Sequence, residues 1–294
     1  MSRGSRNSAD LPGLLKRLYR FRRDTARGGL ARVGRRQRKA ALVAALRRDW
    51  PGGYALTDAG ELVFVPAPLD ARGEHILFYG FDTPPPALRF APVGGVAVDV
   101  GANLGEWSVP LAKAVGANGR VLCCEPNPSV AAALAATLAI NNLAQARVIP
   151  AALSAADGDG HLVVHAGDAG LAHLADAGIP VRLRSLDSLL AELGSDRLDL
   201  LKIDVEGHEA RVLEGAANTL RRLRPVLIFE SAHEAAGERD LIADRLDGYG
   251  YDIVAALHHY GALACTAAEY RAATGACAGA EARNLLALPR PITP

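Results

Sequence analysis

Several protein classes are excluded by what this chain has little of. Its 294 residues include one Met, two Trp and 5% aromatics, so its core must be packed by small aliphatic side chains, alanine and leucine above all. No apolar run approaches the ~20 residues a membrane span needs. The longest, Val130 to Ile140, is broken at once by Asn141 and Asn142. The opening MSRGSRNSAD stays Arg-rich with no apolar signal core, so export by that route is not expected and a cytoplasmic location is. The four cysteines (Cys123, Cys124, Cys265, Cys277) fit no zinc or disulfide framework and are expected to be reduced packing residues. With 50% hydrophobic and 22% charged residues, disorder is excluded and a sizeable core is affordable in volume.

Charge is unevenly spread. Residues 1–50 carry 15 Lys and Arg against 3 Asp, a balance of +12, while the rest carries 18 against 29 acids, a balance of −11. Such a segment can contact an anionic partner or surface, here through residues 1–48, or it can be a solvated helical cover on the acidic body. Few aromatics interleave the basic residues (Tyr19, Phe21, Trp50), so no nucleic-acid partner is expected. The clusters Lys16 to Arg27 and Arg32 to Arg48 read as helices separated by Gly28-Gly29.

Short strands are expected next, at 54–56, 61–65 and 75–81, before the stiff Thr83-Pro84-Pro85-Pro86 break. After Gly95 strands alternate with helices. Strands are expected at 96–100, 120–124, 146–149, 161–165, 181–185, 198–203, 225–229, 251–255 and 284–288, with helices near 106–115, 129–140, 187, 209–223 and 239–246. This alternation predicts an α/β fold with a doubly wound, mostly parallel sheet. Three parts are expected: a basic helical segment (1–50), a small β-rich lead-in (51–92) and a ligand-binding domain (93–294).

Three segments carry the chemistry. In Val98-Asp99-Val100-Gly101-Ala102-Asn103-Leu104-Gly105 a buried strand runs into a glycine turn that opens a helix. Gly101 allows a tight, ligand-hugging path and Gly105 a close helix–strand approach. The dinucleotide Gly-x-Gly is missing, and Asp99 before the turn would repel a pyrophosphate but welcome a cation. In Cys124-Glu125-Pro126-Asn127-Pro128, Glu125 ends the second strand, where an acid can accept both hydroxyls of an adenosine ribose. In Lys202-Ile203-Asp204-Val205-Glu206-Gly207-His208-Glu209, another strand end opens a helix. Asp99, Glu125, Ala152, Asp204 and Glu230 would then meet at the carboxyl edge of one sheet. Carboxylates crowded there need a positive partner, which a sulfonium with an α-amino group supplies. Asp204, Glu206, His208 and Glu209 are also ligand types for a divalent ion. Successive side chains at a strand end point different ways, and no metal is expected. Glu209 also reads as a helix N-terminal acid. His258 and His259 follow a strand end near the site and could shuttle protons; His75, His161, His165 and His173 read as isolated and exposed.

DVGANLG, CEPNP, RLRSLDSLL, LLKIDVEGHEARVLEGA and RPVLIFE, in that order, resemble the FkbM-type methyltransferases, from about Gly80 to Leu288. The resemblance implies a Rossmann-like class I methyltransferase with seven strands and S-adenosyl-L-methionine as cofactor, here with an N-terminal helical and β extension. It implies O-methylation of a natural product or glycan, hence a small-molecule or glycan acceptor. By resemblance Asp99, Gly101, Asn103 and Gly105 line the methionine part, Glu125 holds the ribose with Pro126 and Asn127 in its loop, and Ala152 and Leu153 flank the adenine. Asp204 faces the reacting end and Glu230 sits on the next strand. Gly80-Phe81-Asp82 resembles an aromatic–acid step that usually carries Glu, so Asp82 is a departure. An alkyl hydroxyl is a poor nucleophile, so a base is useful. Asp204 is the first candidate, with His208 and Glu230 next. The rival readings are a catalytically silent Rossmann-like module recruiting an anionic partner and a nicotinamide oxidoreductase, which would need the missing Gly-x-Gly.

Overall fold

The computed structural model describes residues 11–26, 32–165, 167–231, 236–259, 261–278 and 284–291. Gly28-Gly29 and the opening ten residues lie outside them. In chain order, helices α1 (Leu11–Ala26) and α2 (Arg32–Asp49) precede the hairpin β1 (Gly53–Leu56) and β2 (Leu62–Val65), then α3 (Ala71–Tyr79) and α4 (Pro85–Leu88). The core follows as β3 (Val96–Val100), α5 (Ser108–Val115), β4 (Arg120–Cys124), α6 (Pro128–Ile140), β5 (Ala146–Ile149) and β6 (Ala152–Leu153). Next come β7 (Gly158–His165), β8 (Asp168–Ala175), β9 (Ile179–Arg184), α7 (Leu186–Glu192), β10 (Leu200–Ile203), α8 (Glu209–Gly215) and α9 (Ala217–Leu223). The chain closes with β11 (Val226–Glu230), α10 (Ala236–Gly248), β12 (Tyr251–His258), β13 (Gly261–Ala264), α11 (Ala267–Ala272), a 3-10 turn (Gly275–Cys277) and β14 (Asn284–Pro289).

The main sheet runs β13-β12-β14-β11-β10-β3-β4-β5. From β11 to β5 every pairing is parallel, whereas β14 and β12 pair antiparallel. This is the expected seven-stranded, mostly parallel arrangement, with β13 added at the edge as an eighth strand. Alternation along the strands sends side chains to two cores. Val98, Leu122, Leu201 and Leu227 pack on one side with Leu213 and Ile242. Ala97, Val121, Leu200 and Ile228 pack on the other with Leu111, Val115 and Leu134. Helices therefore cover both faces.

A second sheet, β6-β9-β7-β8, stands at the carboxyl edge of the first. β8 is absent from the sequence reading, because small and polar residues break its alternation. The segment 75–81, expected as a strand, is instead the last part of α3 to Tyr79 and the turn that ends it. Asp70 caps that helix by accepting from the Gly73 N–H, and Gly80 ends it at φ 78°. Its apolar run Ile76-Leu77-Phe78 is buried. The helix expected over 209–223 is split at Ala216, and Gly215 lies where a Cβ would overlap the Ser154 carbonyl.

The cysteine expectation is corrected for one pair: Cys265 and Cys277 are joined by a disulfide that closes the segment holding α11, while Cys123 and Cys124 are free and buried. Spacing alone could not show this, since the turn after α11 brings the two sulfurs together. The basic helices lie on the lead-in: Leu18, Leu42, Leu46 and Trp50 share one core cluster with Val63, Ile76, Leu104 and Val130. Arg22 pairs with Asp58, and Arg47 with Glu74. Among the described residues no helix is long and apolar enough to cross a membrane.

Candidate functional site

The carboxyl ends of β3, β4 and β10 open into a cleft that is partly open to solvent. Gly101 makes the turn after β3 at φ 82°, and a Cβ there would overlap the Asp204 carbonyl oxygen. The Gly101 and Ala102 N–H groups both donate to the Cys124 carbonyl at 3.0 Å, so the turn is pinned to the end of β4. Asn103 sits at φ 46°, and its Oδ1 is buried without a hydrogen-bond partner.

Glu125 organises this half of the cleft. Its Oε2 accepts from the Asn103 N–H at 2.9 Å and its Oε1 from the Asn127 N–H at 2.8 Å. Burial pushes its pKa up to about 7, against the pull of those two donors. Each carboxylate oxygen keeps a further lone pair, and Glu125 lines the cleft beside Pro126, Ala152 and Leu153.

The other half is built from charged side chains. Glu106 is buried, with its pKa raised to about 7 chiefly by that burial, and its Oε2 meets Arg72 Nη1 at 2.8 Å. Gly170 leaves room for the Arg72 guanidinium. Asp204 ends β10 next to Glu230, which ends β11. Burial alone would raise the Asp204 pKa, but Lys202, a hydrogen bond with Glu230 and the Arg72 charge outweigh it and hold it below its usual value. Burial and the adjoining Asp204 push Glu230 up to about 9. One acid of the pair thus carries the negative charge and the other a proton at neutral pH. Asp204, Glu206 and Glu230 each offer an oxygen within 4.8 Å of the others, so this is the group among the described residues that could hold a metal ion. Glu209, expected as a helix N-terminal acid, also accepts from the Val205 N–H at 3.1 Å and so braces this loop.

His208 lines the cleft with Nε2 3.0 Å from Ser154 Oγ, its pKa lowered by burial and by Arg211. The β7–β8 hairpin roofs the cleft with Leu162, His173 and Leu174. The hairpin is stitched to the lead-in by the Ala71 N–H donating to the Gly167 carbonyl at 2.8 Å.

Gly101, Asn103, Glu125, Pro126, Ala152, Leu153, Asp204 and His208 therefore line one cleft, with Glu230 beside Asp204. Four candidates stand elsewhere. Asp99 is 1% exposed and accepts from Ser108 Oγ at 2.6 Å, because its position on β3 faces α5. Gly105 packs under Leu134 and Val109. Asn127 caps α6, accepting from the Ser129 N–H. Asp82 accepts from, or shares a proton with, His259 Nε2 at 2.6 Å on an exposed surface. His173, read as isolated, is in the cleft wall.

The positive partner that crowded acids require is also internal. Lys202 and Arg72 supply it, and the sequence reading overlooked both. Lys202 is an apolar-strand residue by position, directly opposite Asp99 in the β10–β3 register, and that pairing was readable once the strand order was known. Nothing in the sequence pointed to Arg72, because α3 was taken for a strand.

The arrangement fits S-adenosyl-L-methionine. A buried acid with outward lone pairs suits a ribose diol, the unpartnered Asn103 Oδ1 suits an ammonium or hydroxyl donor, and Ala152 with Leu153 gives an apolar wall for a base.

The sequence profile of the Methyltransferase FkbM domain matches residues 99–261. A 78-residue stretch is 37% identical to the AMB antimetabolite synthetase AmbE of Pseudomonas aeruginosa, covering 24% of this chain and 4% of that protein. The chain thus spans a small fraction of that relative's length. Among solved structures, Methyltransferase FkbM from Methylobacillus flagellatus aligns with TM-score 0.45 and 14% identity, over 95% of this chain and 60% of that one. The O-methyltransferase TomG from Streptomyces achromogenes, involved in tomaymycin synthesis and solved with S-adenosylmethionine, aligns with TM-score 0.38 and 15% identity, over 68% and 74%.

Proposed function

The chain belongs to the FkbM methyltransferase family, with S-adenosyl-L-methionine as its cofactor, and on that premise we propose that it O-methylates a hydroxyl of a natural product or glycan in the cytoplasm. The observation that carries the reading is Asp204, which lines the cleft together with Glu125 and is hydrogen-bonded to Glu230 at the end of the adjacent strand.

When bound, S-adenosylmethionine supplies a methyl group already activated on a sulfonium centre. The protein's work is to align an acceptor oxygen with it and remove one proton. Glu125 accepts the ribose hydroxyls and fixes one end. Gly101 and Asn103 border the methionine part, and Ala152 with Leu153 flank the adenine. At the other end Asp204 would accept a hydrogen bond from the acceptor hydroxyl and take its proton as the methyl group leaves the sulfonium sulfur, now a thioether, for the acceptor oxygen. Glu230 steadies Asp204 by hydrogen bonding. His208 is tied to Ser154, which suits it to bracing the adenine wall more than to proton transfer. The hairpin side chains Leu162 and Leu174 keep water from the reacting end.

The basic helices leave Lys16, Arg17, Arg20, Arg36 and Arg38 exposed. They support peripheral contact with an anionic surface, and such contact should weaken with salt.

Calorimetry with S-adenosylmethionine, followed by incubation with hydroxylated small molecules and glycans, tests the reading. A mass gain of ~14 Da on an acceptor is expected for methylation. Absence of cofactor binding defeats it.

A further inference from the structure

Among the described residues Lys202 is the most deeply buried charge, and balancing the acids does not by itself say why its ammonium is held where it is. Its side chain is fully buried, at 0% exposure. Its Nζ donates to the Ile203 carbonyl at 3.1 Å and to Asp204 Oδ2 at 3.3 Å. Trp107, which lines the cleft, lies over the ammonium with its ring centroid 5.0 Å away. On the neighbouring strand Lys202 stands opposite Asp99, itself buried and anchored by Ser108. A lysine is rarely buried without a partner, because desolvating an ammonium costs several kcal/mol. Here the hydrogen-bonded acid is Asp204 at the cleft, and Asp99 on the adjacent strand is near enough to feel the charge of the ammonium.

We propose that Lys202 is a positioning residue for methyl transfer: its ammonium links the buried Asp99 to Asp204 and pins the Asp204 carboxylate at the reacting end of the cleft. Three features set this apart from simple charge balance. The contact to Asp204 goes to one named oxygen. The Asp204 main chain is fixed separately, its N–H donating to the Val100 carbonyl at 2.9 Å, so only the carboxylate remains to be held. Trp107, a cleft-lining residue, lies over the ammonium, which is itself fully buried. Without Lys202, Asp204 would be free to turn toward Arg72 on α3 or settle wholly against Glu230.

The proposal rests on the methyltransferase reading and deepens it. Its test compares two ligands of nearly equal shape, cationic S-adenosylmethionine and the neutral thioether S-adenosylhomocysteine, by calorimetry. A carboxylate held at the reacting end favours the sulfonium. Lys202→Met alone strands two acids and is expected to lower the melting temperature, so Lys202→Met/Asp99→Asn is the informative variant: it removes one charge of each sign and leaves Asp204 unpinned. The expected result is recovery of the melting temperature, S-adenosylhomocysteine affinity close to wild type, and loss of the preference for S-adenosylmethionine by on the order of tenfold. Asp204→Asn should lose the same preference, and adding the double change to it should lose no more. If the double variant keeps the wild-type preference, Lys202 only neutralises Asp99 and the proposal falls. If the double variant does not fold, Lys202→Gln in the Asp99→Asn background carries the same comparison. Wild-type protein that binds neither ligand would remove the methyltransferase reading itself; wild-type protein that binds both equally would overturn the Lys202 proposal alone.

Discussion

The two halves of the cleft are held by different means. On the Glu125 side the fixing bonds involve the main chain: Gly101 and Ala102 to Cys124, and Asn103 and Asn127 to Glu125. They lie within the stretch matched by the family profile. On the Asp204 side the fixing contacts run between side chains: Arg72 with Glu106 and Ser154 with His208 from distant segments, and Lys202 with Asp204 two residues apart. Arg72 comes from the lead-in, outside the matched stretch. Main-chain wiring holds one ligand shape and resists substitution. Side-chain pairing can be rewritten a residue at a time, which suits a scaffold whose cofactor is constant and whose acceptor varies.

Four measurements would break or sharpen that contrast. Gly101→Ala should have the largest effect, because φ 82° disfavours alanine and its Cβ would overlap Asp204. A loss of several kcal/mol, read as insoluble protein or a collapsed melting transition, is expected; a near-wild-type transition would show that the turn can yield. Glu125→Ala comes next. It should abolish detectable S-adenosylmethionine binding while the fold persists, since charge-assisted bonds of this kind contribute about 1.5–3 kcal/mol each. Unchanged affinity by calorimetry would remove Glu125 from the ribose.

Arg72→Met should act on the other half only. Breaking the pair leaves Glu106 without its partner, and a drop of about 1–3 kcal/mol in stability is expected, largely recovered by adding Glu106→Gln. Cofactor affinity should stay within a few-fold of wild type, and a large loss would mean the halves are not independent. The last measurement concerns pH. Glu125 and Glu106 are raised to about 7 and Asp99 to about 6 by burial. An acid whose folded-state pKa is raised stabilises the fold while protonated, and that stability is lost as pH rises through the folded value. The ligand-free protein should therefore melt higher at about pH 5.5 than at about pH 8. Glu106→Gln should flatten the difference, and an opposite slope would contradict the burial argument.

The same division explains what the sequence could reveal. The β3 turn, Glu125 and the strand at Leu200–Ile203 were legible because glycine spacing, apolar runs and strand-end acids are local signals. The mostly parallel, doubly wound sheet followed from the alternation of elements, whereas the strand order came from the structure. Asp99 was misplaced because strand register decides its face: one residue along β3 separates a cleft wall from the packing side. Lys202 and Arg72 escaped for a related reason, since a buried cation is recognisable only from the acids that surround it in three dimensions. The α3 segment looked like a strand because its three apolar residues are consecutive. Asp70 and Gly80, which bound the helix, were the signals that could have corrected it.

The bond between Cys265 and Cys277 gives the molecule a built-in reporter. Cys123 and Cys124 lie inside β4, where burial raises both thiols well above their ordinary pKa. An alkylating reagent attacks thiolates, so the native, oxidised chain should take up no label. After mild reduction it should take up label only at the pair flanking α11. The same loop packs Tyr270 edge-on against Phe229, the neighbour of Glu230, with centroids 5.6 Å apart. Counting added alkyl groups by mass would give the redox history of a preparation.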